Sequence, residues 1–126
     1  MTMHYTGALL GRNAVIEFPE STAYVSYSVR GELKWKVTDK HGNVTQGQER
    51  LSYLQLSDKL HFLNWVEKTG FTVSQVIDTE TCTVKAFWSS ADEMSDSGHR
   101  ASMFVNGTFR IARTTPALLH KQTALA

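Results

Sequence analysis

The chain of 126 residues contains one cysteine, two prolines and almost no excess charge. The lone Cys82 excludes an internal disulfide and a cysteine-based zinc site. A single cysteine in a strand is expected to act as a small core residue. Thirteen basic residues against twelve acidic ones leave a formal net charge of +1. No charge field therefore favours nucleic acid, and no basic stripe runs along the strands. No apolar run approaches the ~20 residues of a membrane-spanning helix. The opening residues lack the charged start and long apolar stretch of a signal peptide. The expectation is a soluble, cytoplasmic protein with neither nucleic-acid nor membrane partners.

Chemical motifs are scarce too. His4, His41, His61, His99 and His120 stand singly, without the spacing of paired metal ligands, so no metal site is expected. Gly-x-Gly-x-x-Gly, a phosphate loop and a nucleophile elbow are all missing, and no cofactor is implied. Long helical periodicity is missing as well.

What the chain does have is period-two patterning. Short segments rich in β-branched and aromatic residues recur between turn residues. Strands are expected at residues 12–18, 22–29, 32–38, within 47–56, and at 60–67, 71–78, 81–89, 99–105 and 108–113. The third alternates cleanly, with Leu33, Trp35 and Val37 on one face and Glu32, Lys34 and Lys36 on the other. Asn106-Gly107 is a strong two-residue hairpin signal. Residues 1–11 read as an N-terminal arm, and residues 114–126 as a tail that is either frayed or holds a short helix around 117–120. Many short strands without crossover helices predict one all-β domain over residues 1–126, a small up-and-down antiparallel barrel, which also removes exposed edges.

The segment 59–89 allows a register argument. Two-residue turns at Thr69-Gly70 and Thr79-Glu80 would pair Val66 with Val73, Asn64 with Gln75, and Phe71 with Trp88. One face then gathers Phe62, Asn64, Val66, Phe71, Val73, Gln75, Ile77, Cys82, Val84, Ala86 and Trp88. It is the more apolar face and should point inward. Asn64 and Gln75 would either satisfy each other or orient a ligand. Trp65 and Glu67 would point outward, unless a bulge at the turn carries Glu67 to the barrel mouth. Leu63, Trp65, Val76 and Phe87 on the outer face would then suit a homodimer interface or a cover by the N-terminal arm.

The string Trp65-Val66-Glu67-Lys68-Thr69-Gly70, followed by Val73-Ser74, resembles the central hairpin of calycin-type, lipocalin-like barrels. Two groups share it. The phenolic acid decarboxylases carry Trp-x-Glu-x-Thr-Gly followed by Val-Ser. The MoaF-like proteins (molybdenum cofactor biosynthesis protein F) carry Val-Ser-x-Val-x-Asp, matched by Val73-Ser74-Gln75-Val76-Ile77-Asp78. The resemblance spans about residues 47–89. The decarboxylase likeness implies a catalytic role for Glu67 and cavity positions for Phe71 and Trp88. That family's tyrosine pair is replaced here by Ile16 and Phe18, and its arginine by Val44, with Arg50 out of register. The MoaF-like resemblance implies a lipocalin-like barrel without assigned chemistry.

Three functional readings follow. The first is a barrel that binds a small hydrophobic or aromatic ligand, with Tyr24, Trp35, Asn64, Phe71, Val73, Gln75 and Trp88 around it. The second is a lyase- or isomerase-type enzyme using Glu67 as acid or base. The third is a filled barrel acting as a protein-interaction module.

Overall fold

The structure, a computed structural model, describes residues 6–113. The expected helix at 117–120, together with His4 and His120, lies outside them. Nine antiparallel strands account for the fold: β1 Asn13–Phe18, β2 Ser21–Tyr27, β3 Glu32–Asp39, β4 Val44–Arg50, β5 Ser52–Gln55, β6 Leu60–Val66, β7 Thr72–Asp78, β8 Thr83–Ala91 and β9 Arg100–Ala112. They form one sheet in the order β4-β3-β2-β1-β9-β8-β7-β6-β5. Two meanders thus meet at the β1–β9 seam. The sheet's edge strands, β4 and β5, are separated in the chain by Leu51 alone. That residue buries its side chain, and its N–H donates to the Gly31 carbonyl at 2.8 Å. The joint swings the chain from one edge of the sheet to the other and produces a nearly closed barrel. β4 lies beside β6 without pairing to it, and this seam stays open.

Two expected strands fuse and one divides. The segment expected at 47–56 breaks at Leu51 into β4 and β5. The Asn106-Gly107 pair makes no hairpin. β9 runs straight through it, pairing with β8 over its first part and with β1 over its last. Gly107 is needed for close approach instead. A Cβ there would lie 2.6 Å from the Glu17 carbonyl oxygen and 2.8 Å from a Phe18 ring carbon. A glycine within a strand often marks such a contact at a barrel bend.

The turn after β6 decides the interior. β6 and β7 pair Trp65 with Val73, Asn64 with Ser74 and Leu63 with Gln75. The loop is Lys68-Thr69-Gly70, three residues and not two. It is closed by Glu67 N–H to Phe71 O and Gly70 N–H to Glu67 O, both 2.8 Å, with Gly70 at φ 88°. This is the three-residue hairpin with its glycine in the left-handed region. One extra residue turns every β6 side chain over. His61, Leu63 and Trp65 are therefore inside, while Phe62 and Val66 are exposed. The β7–β8 loop is also longer than expected, with Asp78 opposite Thr83. Its register moves by two residues, so the inward set of β7 and β8 survives. Cys82 is not a core residue: it is exposed in that loop at φ 59°.

The interior has two zones. One end is filled by Leu9, Ala14, Tyr27, Leu33, Leu51, Leu63, Ile77, Val84 and Phe109, all buried. Leu9 belongs to the N-terminal turn that closes this end. Its N–H donates to the Tyr53 hydroxyl at 3.3 Å, and that hydroxyl lies 2.6 Å from His61 Nδ1. Tyr53 and His61 share one hydrogen in this contact, its direction set by the imidazole tautomer. Burial holds the His61 pKa below its ordinary value, which favours the neutral ring. The other end of the barrel is open.

Candidate functional site

The open end holds a cavity of about 690 Å³. Its walls come from inward positions of β1 to β4 and β6 to β8, as alternation in a barrel dictates. Ile16 and Phe18 line it from β1, Trp35 and Val37 from β3, and Gly47 and Glu49 from β4. Trp65 and Glu67, then Phe71, Val73 and Gln75, and Trp88 add to it, with Ser21, Ala23 and Val25 from β2 and further polar residues of β4 and the β6–β7 turn. Phe18 meets Trp88 edge-on with ring centroids 5.3 Å apart, and Phe71 lies 6.2 Å from Trp88. These contacts fix an aromatic wall by the geometry that ring quadrupoles favour.

Two tryptophans face the cavity with their polar edges already engaged. Trp35 donates its indole N–H to Glu49 at 3.0 Å. Trp65 donates to Glu67 at 3.1 Å. Gly47 is the direct cross-strand partner of Trp35, and a Cβ there would lie 2.8 Å from the indole. Its bare backbone lets the ring lie flat against β4 and reach Glu49. The Glu67 carboxyl is raised above the usual range, chiefly by burial, with a smaller push from Glu49 and an opposing pull from the Trp65 hydrogen bond. The turn that presents Glu67 is held from outside the barrel: Arg100 donates to the Gly70 carbonyl at 3.1 Å and to Ser89 Oγ at 3.0 Å.

Deeper in lies Gln75, 4% exposed, and its Oε1 is buried without a hydrogen-bond partner. An orphaned amide oxygen costs about 1–3 kcal/mol. It is a position where a ligand group that can donate would recover that loss.

Of the residues expected around a ligand, Trp35, Phe71, Val73, Gln75 and Trp88 line this cavity, and Glu67 stands at its mouth. Two do not. Asn64 is on the outer face, where its amide donates to the Val73 carbonyl and to Ser74 Oγ, both at 3.0 Å. The three-residue turn put it there. Tyr24 is also outside, between inward-facing Ala23 and Val25 and opposite Val15 and Lys36. The sequence reading did not place Trp65 or Glu49 in the site. Trp65 was lost to the register, while Glu49 had a usable signal, two residues on from the glycine opposite Trp35. Among the described residues no group of three or more His, Cys, Asp or Glu side chains is placed to hold a metal, and no helix is long and apolar enough to cross a membrane.

A nearly closed antiparallel barrel, filled at one end and aromatic at the other, defines a calycin-like protein. The MoaF-like family model matches residues 10–100, and the chain belongs to that family. No curated protein matches it. Among solved structures, a Burkholderia vietnamiensis protein named as a "putative beta-lactamase" superposes with a TM-score of 0.71 at 16% identity. The match covers 86% of this chain and 99% of that one. At that identity the likeness is one of fold.

Proposed function

We propose that this MoaF-like barrel binds a small, flat, largely apolar molecule in its open end. The observation that carries the reading is the pairing of a cavity of about 690 Å³ with one orphaned, buried amide oxygen at Gln75. Small-molecule sites are of this size, mostly apolar, with a few placed polar groups. Open space of that volume speaks against the filled-barrel interaction module. The test is a panel of flat aromatic compounds, followed by melting temperature and tryptophan fluorescence, since all three tryptophans line the cavity. Ligands that raise the one and change the other support the reading. A panel that moves neither contradicts it.

A second reading rests on Glu67. Its carboxyl is raised by burial and stands at the cavity mouth beside Trp65. That environment suits a general acid or base in a lyase- or isomerase-type reaction. Consumption of a bound compound by the wild type, and its intact binding by Glu67→Gln, would favour this reading over binding alone.

A further inference from the structure

Two carboxylates and one orphaned amide oxygen stand out in the cavity's polar lining. Two of the three indole N–H donors are spent on Glu49 and Glu67. Ser21, Thr45, Gln46, Gln48, Thr69 and the Trp88 indole also bring groups that can donate, but the net charge and the orphaned buried atom are both on the acceptor side. Gln75 Oε1 is buried and unpartnered. An ionised carboxylate has about four acceptor sites, and one indole occupies one of them. The charged lining residues are Glu49, Glu67 and Lys68, which leaves the cavity net negative. Lys68 sits exposed on the β6–β7 turn, whereas the carboxylates are pinned against tryptophans. Trp35, Trp65, Phe71 and Trp88 line the same cavity as the carboxylates and Gln75, and aromatic faces attract cations.

Resting on the ligand-binding reading above, we infer that the ligand is an aromatic amine in its protonated form: its ammonium sits at the mouth between Glu49 and Glu67, its ring lies among the tryptophans, and a donor at its far end meets Gln75 Oε1. An ammonium has donors and no acceptor, so it complements what the mouth offers. A carboxylate ligand would meet two like charges and the unpartnered Gln75 oxygen. A bound cation would also favour the ionised form of Glu67, opposing the effect of burial.

The experiment compares three compounds with one indole body and different heads: tryptamine, tryptophol and indole-3-propanoate. Isothermal titration calorimetry gives each affinity near neutral pH. The expected order places tryptamine tighter than tryptophol by about tenfold or more, the worth of one charge-assisted hydrogen bond, with indole-3-propanoate weakest. Glu49→Gln and Glu67→Gln each keep an oxygen to accept the indole N–H but lose the charge. In both, with melting temperature confirming the fold, the preference for tryptamine over tryptophol should collapse. Tryptophol binding as tightly as tryptamine, or indole-3-propanoate binding tighter, overturns the inference and leaves the binding reading standing. No binding by any of the three overturns both.

Discussion

Replacing Gln75 with methionine should stabilise the ligand-free protein. Gln75 is 4% exposed, paired across the sheet with Leu63 and Ala86, and its Oε1 has no partner. Methionine is also unbranched, with the same number of side-chain torsions and a similar volume, so it fills the site without a cavity or a clash. The change removes the cost of an unsatisfied buried acceptor, about 1–3 kcal/mol. For a chain of this length each kcal/mol moves the melting temperature by about 4 °C, so the expected rise is about 4–12 °C. Urea denaturation should show a higher midpoint at an unchanged slope. The same variant should bind aromatic ligands more weakly, because the deep acceptor is lost. A Gln75→Met protein that melts at or below the wild-type temperature would refute the reasoning, since the amide would then be contributing to the fold and not held for a ligand.

Other consequences are as direct. Gly107→Ala should destabilise by about 1–3 kcal/mol in urea, because its Cβ would crowd the rigid Glu17 carbonyl and push Phe18 toward Trp88; a neutral result would contradict the close-approach account. Stability should fall as pH drops below about 6.5: the His61 pKa is lowered in the folded state, so the unfolded chain takes up the proton first and is favoured down to the folded pKa. His61→Asn should flatten that part of the pH profile, and a profile unchanged by the substitution would argue against it. On the outer face Leu54, Phe62, Val76 and Phe104 are exposed, and Phe87 meets Phe104 at a 59° tilt with ring centroids 5.0 Å apart. A homodimer through this face is the expected state by sedimentation velocity, with Phe62→Lys and Phe104→Lys together yielding monomer; a wild-type monomer at high concentration would rule it out.

Strand positions were largely legible because alternation is a local signal, and β3 with Leu33, Trp35 and Val37 shows it best. Closure was legible only as a class. That Leu51 joins two opposite edges depends on contacts with Gly31, far away in sequence. The faces of β6 were misread for a physical reason. Lys68-Thr69-Gly70 and Thr69-Gly70 are both acceptable turns by composition, and they differ by one residue, enough to exchange Asn64 and Val66 for Leu63 and Trp65. The likeness of Trp65-Val66-Glu67 to a calycin hairpin required Glu67 at the cavity, which is where the structure has it. Asn106-Gly107 misled because the glycine serves packing against Phe18, a demand from a neighbouring strand that no local pattern records. Cys82 misled similarly: burial habit outweighed the turn chemistry of Asp78, whose carboxylate accepts from the Glu80 and Thr81 amides and shapes the loop.

The central claim is that the open end of the barrel is where a small molecule binds. Trp35, Trp65 and Trp88 all line that cavity, so each indole N–H reports from inside it. The most direct measurement is a two-dimensional ¹H–¹⁵N spectrum recorded during titration with tryptamine. The account predicts saturable shifts of the three indole N–H signals, together with the side-chain amide of Gln75, while backbone amides around Phe87 and Phe104 stay in place. Shifts confined to the outer face, with the three indoles unmoved, would contradict it.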